Sequence, residues 1–322
     1  MKTKMIVATR HGLKRFERIN DYWEERNHAL TGHEITALAI REGISLAGTT
    51  DGVYLSQDAG ESWELDSEGI QPPHVRCVAI HPQDSRTLFA GTEPANIYSR
   101  QIESGRWQRS EEVAKFRYEN DWYMPYSPNP GCVRGFAFYN QRIYAAVEVG
   151  GLLVSEDDGD TWALAPGSSG NPRKDAEKGQ IHPDVHSVVS HPASEDLVFA
   201  PTGGGFYLSE DGGKTWSLKY EAYCRAVWVD PLDASHMVLG PADGVGRGGR
   251  IEYTTDGGET WRLLMDNIAD RWPEAMVERF VAAEGEIFPV LSNGKLLTAR
   301  TKAFSWQYLL PGISDAVMLA LL

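Results

Sequence analysis

Hydrophobic positions along the chain fall into short runs, and these runs predict β-strands. Between residues 185 and 218, four runs rich in β-branched and aromatic residues are separated by segments that contain Gly, Pro or Asp: Val185–Ser190, Leu197–Ala200, Gly205–Ser209 and Thr215–Leu218. Runs bounded by such turn residues are typical of antiparallel strands. The order recurs along the chain, with first strands predicted to begin at Ile35, Val75, Val133, Val185, Cys224 and Val277.

Tryptophan spacing gives the period of this repeat. Seven of the ten tryptophans follow one another at intervals of 40, 44, 55, 54, 45 and 45 residues: Trp23, Trp63, Trp107, Trp162, Trp216, Trp261 and Trp306. Four strands in about 45 residues is typical of a propeller blade. The tryptophans therefore predict seven blades.

The two chain ends together supply the seventh blade. Residues 4–9, 13–18 and 21–24 provide its second to fourth strands, and the run from Ser314 provides the missing first strand. Joining the ends in one sheet removes exposed sheet edges. We therefore predict an all-β fold, a seven-bladed β-propeller of four-stranded antiparallel blades. Residues 1–322 form one domain in this prediction, and blade 7 combines residues 1–27 with residues 313–322.

Four blades contain the motif Ser/Thr-x-Asp-x-Gly-x-Ser/Thr-Trp. The copies are SQDAGESW at 56–63, SEDDGDTW at 155–162, SEDGGKTW at 209–216 and TTDGGETW at 254–261. The Asp accepts backbone hydrogen bonds at a tight turn, the Gly tolerates positive φ, and the Trp packs between sheets. We predict this structural role, rather than calcium binding or acid catalysis, for Asp58, Asp157, Asp211 and Asp256.

The motif resembles the Asp-box, or BNR, repeat of sialidases, sortilin-type receptors and a photosystem II assembly factor. The resemblance implies that the boxes lie between the third and fourth strands, on the face opposite the ligand site. It does not extend to sialidase chemistry, because the Arg-Ile-Pro segment of that family is missing from this sequence. Strict sialidase activity is therefore not expected.

Composition and charge exclude several classes of protein. Hydrophobic residues make up 42% of the chain, and 31 Lys and Arg face 45 Asp and Glu, for a net charge of −14. This acidic balance argues against a nucleic-acid partner. No apolar stretch approaches the roughly 20 residues of a membrane span. The odd number of cysteines, three, and the charged N-terminus predict a cytoplasmic protein without membrane contact.

Polar residues recur at the second position of each first strand. We expect them to converge near the central funnel: Thr36, Arg76, Arg134, His186, Arg225, Glu278 and Asp315. Arginine presents a fork of donors suited to carboxylate, sulfate or phosphate. Arg76, Arg134 and Arg225 are therefore predicted to bind an anion.

Two glutamates follow the second strands of neighbouring blades. Glu93 and Glu148 occupy equivalent positions in GTEPAN and AVEVGG. Either they act with His186 in proton transfer, or they form ion pairs with Arg76 and Arg134. The sequence leaves both interpretations open.

Two insertions account for the longer tryptophan intervals. The first, roughly 109–131, contains Trp122 and Tyr126, and the second, roughly 165–184, precedes blade 4. We predict that both overhang the funnel and that the aromatic rings of the first stack on a ligand; the alternative is a packed cap. Tyr223 and Asp243 are further predicted ligand contacts on the same rim.

A possible metal site is suggested by three alternating residues, His182, Asp184 and His186. They place two imidazoles and a carboxylate on one side of an extended stretch, but no fourth ligand lies nearby in sequence. We predict no metal and no cofactor, and we assign His186 to the ligand or to proton donation.

Two functions from different classes fit these features. One is an enzyme similar to a glycoside hydrolase or lyase, which binds an anionic small molecule or sugar in the funnel. The other is a non-enzymatic scaffold, which binds a protein or peptide at its rim. The pocket is favoured because paired acids, arginines and two insertions exceed what a scaffold requires.

Overall fold

A computed structural model describes residues 3–20, 22–174 and 176–322. In these residues, seven separate four-stranded sheets follow one another around a ring, and every strand pairs antiparallel with its neighbours. The fold is a seven-bladed β-propeller, as predicted. Within the same residues, no helix is both long enough and apolar enough to cross a membrane.

Blades 1 to 3 follow one another from residue 35 to residue 164. Blade 1 consists of β1 (Ile35–Arg41), β2 (Ile44–Thr49), β3 (Gly52–Ser56) and β4 (Glu64–Leu65). Blade 2 consists of β5 (Val75–Ile80), β6 (Thr87–Thr92), β7 (Ile97–Gln101) and β8 (Gln108–Arg109). Blade 3 consists of β9 (Cys132–Tyr139), β10 (Arg142–Glu148), β11 (Gly151–Ser155) and β12 (Ala163–Leu164).

Blades 4 to 6 repeat the arrangement up to residue 309. Blade 4 consists of β13 (Val189–His191), β14 (Ser194–Thr202), β15 (Gly205–Ser209) and β16 (Ser217–Tyr220). Blade 5 consists of β17 (Tyr223–Asp230), β18 (Asp233–Ala242), β19 (Glu252–Thr254) and β20 (Arg262–Leu263). Blade 6 consists of β21 (Val277–Ala283), β22 (Glu286–Leu291), β23 (Leu296–Arg300) and β24 (Ala303–Leu309).

Blade 7 joins the two ends of the chain and closes the ring. Its strands, from the axis outward, are β25 (Ala316–Leu321), β26 (Lys4–Thr9), β27 (Gly12–Ile19) and β28 (Tyr22–Ala29). Val7 of β26 is in register with Leu319 of β25, and both side chains are fully buried. The predicted closure by strands from both ends is confirmed.

The Asp boxes form the turns between third and fourth strands. In the first box, Asp58 accepts hydrogen bonds from the Ser62 backbone N–H at 2.9 Å and from the hydroxyls of Ser56 and Ser62. Gly60, with φ of 79°, completes the turn. The same bonds recur at the other three boxes, made by Asp157, Asp211 and Asp256. The carboxylates therefore make the turn hydrogen bonds that we predicted.

Two of the seven repeat tryptophans, both outside the four Asp boxes, connect neighbouring blades. Trp107 of blade 2 donates its indole N–H to the Asp66 carbonyl of blade 1, and Trp306 of blade 6 donates to the Leu264 carbonyl of blade 5, each at 2.8 Å. Both rings are buried. A large apolar ring at the same place in each repeat explains why tryptophan spacing gave the blade count.

Two local features differ from the sequence prediction. The innermost strand of blade 4 begins at Val189 rather than Val185, which makes only an isolated bridge to Thr202. The first insertion also contains a helix, α1 (Glu111–Glu119), whose N-cap Ser110 accepts from the Val113 N–H. The prediction of strands alone missed this helix, whose Val113 is fully buried against the blade 3 core.

Candidate functional site

β-Bulges direct polar side chains toward the central channel. In the first strands of blades 1, 2, 3, 5 and 6, the pairing register shifts at the second or third residue. A bulge leaves one residue unpaired and re-aims its side chain. The residues at these shifts are Thr36, Arg76, Arg134, Arg225 and Glu278. Their convergence follows from a distortion that five innermost strands share.

Two cavities of about 240 Å³ each lie along the channel axis. We call them the entrance cavity, which is lined by the beginnings of the first strands and by Arg10, and the inner cavity, which is lined further along the same strands and by His186. Four residues line both cavities: Arg134, Arg225, Glu278 and Arg279. These charged side chains form the partition between the two spaces.

Glu278 binds two of the arginines in the partition. Arg225 donates through Nη1 to both of its carboxylate oxygens at 2.9 Å, and Arg134 Nη2 lies 3.8 Å from Oε2. Both guanidinium groups lower the pKa of Glu278 against the opposing effect of burial. Because Arg134 belongs to blade 3 and Glu278 to blade 6, this contact spans the channel.

Arg279 is the cation that the sequence analysis did not identify. It is partly buried, and no carboxylate of the described residues lies within 4.0 Å of its guanidinium group. Burial, followed by the positive charge of Arg134, lowers the pKa of Arg279 to about 10. It remains protonated at neutral pH, so its charge faces the channel without a close counter-ion.

Glu93 is held by an ion pair and two hydrogen bonds. Its Oε2 lies 3.2 Å from Arg76 Nη1, and its Oε1 accepts from Ser127 Oγ at 2.7 Å and from Asn129 Nδ2 at 3.3 Å. The carboxylate is buried. Its contacts match the ion-pair alternative considered from the sequence.

Glu148 is paired in the same way. Its Oε2 lies 3.4 Å from Arg134 Nη1 and accepts from the Cys132 thiol at 3.3 Å. Burial disfavours its charged form, but Arg134 and a hydrogen bond from Tyr126 outweigh that effect and lower the pKa of Glu148 to about 2. An acid this strong is ionised at neutral pH and is a poor proton donor.

His186 and Tyr223 pack together beside the inner cavity. Their ring centroids are 4.8 Å apart, and the Tyr223 hydroxyl accepts from Arg225 Nε at 2.8 Å. Burial raises the pKa of Tyr223 to about 12. Tyr223 therefore orients an arginine of the partition.

The two insertions contact each other. Trp122 donates its indole N–H to the Gly170 carbonyl at 2.6 Å, and Arg173 forms an ion pair with Asp121 and lies over the Tyr123 ring. Trp122 is buried, so the prediction that its ring stacks on a ligand is wrong and the packed-cap alternative applies to it. Tyr126 differs, since its ring is exposed while its hydroxyl reaches Glu148.

Two further predicted groups are Asp243 and the alternating residues His182, Asp184 and His186. Asp243 pairs on the rim with Arg271 at 2.9 Å and Arg250 at 3.4 Å, and it is not among the described residues that line either cavity. His182 accepts the Asp184 N–H at 3.2 Å, whereas Glu148 of blade 3 joins Asp184 and His186 in one cluster. The sequence pattern of alternating residues had not included Glu148.

Comparisons with known proteins agree with this architecture. The sequence profile of the BNR/Asp-box repeat matches residues 207–218 and 252–263. None of the curated protein sequences compared with the chain matches it. The fold resembles YCF48 bound to D1 peptide, at 15% identity and a TM-score of 0.61, over 92% of both chains. YCF48 from Cyanidioschyzon merolae is similar at 15% identity and a TM-score of 0.63, over 92% of this chain and 90% of that one.

An ancestral GH74 enzyme is also similar, at 15% identity and a TM-score of 0.63, over 85% of this chain but 38% of the enzyme. At this identity, the structural likeness shows the fold alone. The profile matches agree with the four boxes that lie in phase with the seven tryptophans. The chain is a seven-bladed β-propeller that contains BNR, or Asp-box, repeats.

Proposed function

We propose that this propeller binds an anionic small molecule or sugar in the entrance cavity. The observation that supports it most is Arg279, a protonated guanidinium group without a carboxylate within 4.0 Å among the described residues. An uncompensated charge in a partly desolvated channel attracts anions. A bound carboxylate, sulfate or phosphate would supply the missing counter-ion.

The charge balance of the cavity lining points the same way. Among the described lining residues, five arginines face two glutamates: Arg10, Arg76, Arg134, Arg225 and Arg279 against Glu34 and Glu278. Arg76 and Arg134 also pair with Glu93 and Glu148, so five arginines meet four carboxylates and the local surplus is one positive charge, in a chain whose net charge is −14. A cavity of about 240 Å³ accommodates a small ligand.

The geometry supports binding more than catalysis. Glu93 and Glu148, the two candidates for proton transfer, are both engaged in ion pairs, and the pKa of Glu148 is lowered to about 2. A general acid needs a pKa close to the working pH. Glycoside hydrolase or lyase chemistry therefore has less support than ligand binding.

Arg279→Gln provides the test, because it removes the charge without breaking a close ion pair. We expect wild-type protein, treated with EDTA and then freed of it, to bind at least one of inorganic phosphate, sulfate, glucuronate and glucose 6-phosphate in calorimetric titrations. Affinity should fall about tenfold or more in Arg279→Gln, equivalent to at least about 1.4 kcal/mol. The matched control is Arg271→Gln on the exposed rim, which should bind like wild type. Equal affinity in all three proteins, or no binding by wild type, would refute the proposal.

Peptide binding is the second candidate. The structure of YCF48 bound to D1 peptide matches over 92% of both chains, and the arginine-rich entrance fits an acidic peptide as well as a small anion. Titration with a short acidic peptide separates the two functions. The peptide-binding scaffold would be favoured by two results together. The wild-type protein binds the peptide but none of the small anions, and Arg279→Gln weakens peptide binding.

A further inference from the structure

Glu148, Asp184 and His186 converge where blades 3 and 4 meet. One possible ligand atom from each residue lies within 4.8 Å of the other two. His186 Nε2 is 3.2 Å from Asp184 Oδ2. Two ligands of a tetrahedral zinc ion with bonds near 2.0 Å are about 3.3 Å apart. The cluster thus has the dimensions of an incomplete tetrahedral site.

The orientation of His186 is set by the neighbouring blade. Its Nδ1 lies 2.8 Å from the carbonyl oxygen of Cys224, which can only accept, so Nδ1 carries a proton. In the neutral ring, Nε2 then presents a lone pair to Asp184 Oδ2. A lone pair facing a carboxylate is repulsive unless a cation or a second ring proton lies between them. A backbone carbonyl behind the imidazole is the usual support for a metal-binding histidine.

Asp184 provides an independent observation. Its Oδ1 is buried and has no hydrogen-bond partner among the described residues. Leaving a buried carboxylate oxygen unsatisfied is costly. Gly203 makes room for the group, because a Cβ there would overlap the Asp184 carboxylate. The carboxylate therefore lies in a fitted space with an oxygen free to bind a cation.

We propose that Glu148, Asp184 and His186 bind a divalent transition-metal ion such as Zn²⁺ or Mn²⁺. One imidazole nitrogen and two carboxylates suit these borderline and hard ions. Both carboxylates balance the divalent charge, while the charge of Arg134 beside Glu148 is shared with Glu278. Of the three residues, His186 also lines the inner cavity. The site is distinct from the anion-binding function and does not depend on it.

The competing explanation needs no metal. A doubly protonated His186 would donate to both Cys224 O and Asp184 Oδ2 and would hold the cluster together as an ion pair. That arrangement leaves Asp184 Oδ1 unsatisfied, and it predicts no affinity for metal ions.

Metal titration of the full chain distinguishes the metal site from the ion-pair explanation. Protein treated with EDTA and then freed of it is titrated with ZnCl₂ and with MnCl₂ in a calorimeter. We expect the wild-type protein to bind one metal ion per chain. The affinity for that ion should fall about 10-fold to 100-fold in His186→Asn and in Asp184→Asn. Asn at 186 keeps a donor for Cys224 O but lacks Nε2. The control is His182→Asn, which keeps an acceptor for the Asp184 N–H and should bind within threefold of wild type.

Circular dichroism of the metal-free variants shows whether each one folds. If neither folds, the visible spectrum of wild-type protein with CoCl₂ decides, since a four-coordinate site gives intense d–d bands. The proposal is overturned if the wild-type protein binds no metal ion, or if neither His186→Asn nor Asp184→Asn weakens that binding. It is also overturned if His182→Asn loses as much affinity, or if wild type with CoCl₂ lacks those bands.

Discussion

Arg225 and Glu278 form an ion pair with two hydrogen bonds at the axis of the propeller. Arg225 Nη1 donates to both carboxylate oxygens at 2.9 Å, across the boundary between blades 5 and 6. Its Nε donates to the Tyr223 hydroxyl, so the guanidinium group is fixed from two sides. Glu278 also compensates Arg134. A single carboxylate therefore holds two arginines beside a third, Arg279, whose guanidinium group has no carboxylate of the described residues within 4.0 Å.

Removing the charge of Glu278 should affect stability and anion binding in opposite directions. Glu278→Gln leaves Arg134 and Arg225 undercompensated, so we expect unfolding to become easier by about 2 kcal/mol. The same change removes a negative charge from the cavity lining, so affinity for inorganic phosphate should rise severalfold. Calorimetry measures both quantities.

The matched control for this variant is Glu252→Gln. Glu252 pairs with Arg250 at 2.6 Å in blade 5, outside the described lining of both cavities. It should lose stability without changing phosphate affinity. A fall in phosphate affinity in Glu278→Gln would contradict an anion site formed by the partition.

The Asp boxes should make the fold sensitive to acid. Hydrogen bonds from Ser62, followed by one from Ser56, lower the pKa of Asp58 from 3.8 to about 2. A pKa that is lower in the folded state stabilises the fold above the unfolded value, and this stabilisation is lost as pH falls through the folded value. We therefore expect the Tm to drop between about pH 4 and pH 2. The pKa values of Asp157 and Asp211 shift in the same direction.

Asp58→Asn tests this origin, because the amide does not titrate. Its Tm at pH 7 should be lower than that of wild type, and the loss between pH 4 and pH 2 should be smaller. Asp270→Asn, at an exposed position, should follow the wild-type curve. Parallel curves for Asp58→Asn and wild type would show that the box carboxylate does not contribute to acid sensitivity.

The fold could be predicted from the sequence because the same pattern of strands and tryptophans occurs in every blade. Seven tryptophans at intervals of 40 to 55 residues, and four boxes in phase with them, specify one structural unit many times. The pairing of Glu93 with Arg76 was also accessible, since both lie at the same end of adjacent strands. Contacts within a blade follow from the repeat.

Contacts between blades did not follow from the repeat. Arg134 meets Glu278 across the channel, and Glu148 meets Asp184 from another blade. Arg279 was missed because strict alternation assigns it to the face opposite Glu278, whereas the bulge between Val277 and Arg279 changes that alternation. An arginine inside an otherwise apolar innermost strand was the available signal.

Trp122 should tie the second insertion to the first. Trp122→Phe removes the donor to the Gly170 carbonyl, and we expect a loss of about 1–2 kcal/mol in stability. Amide hydrogen exchange in residues 165–174 should accelerate, as measured by mass spectrometry. Tyr118→Phe, on the exposed surface of α1, should leave exchange unchanged. Equal protection in both variants would mean that the indole bond does not hold the insertions together.

Closure of the ring should depend on the packing of Leu319. Its side chain is fully buried with Met5, Phe16 and Val290, so it packs in both blade 7 and blade 6. Leu319→Ala leaves a cavity at this junction, and we expect the free energy of unfolding to fall by about 2–4 kcal/mol. The control is Leu232→Ala at an exposed turn, where the change should stay within about 0.5 kcal/mol. Urea unfolding followed by tryptophan fluorescence measures both, and a Leu319→Ala midpoint equal to that of wild type would contradict closure by the C-terminal strand.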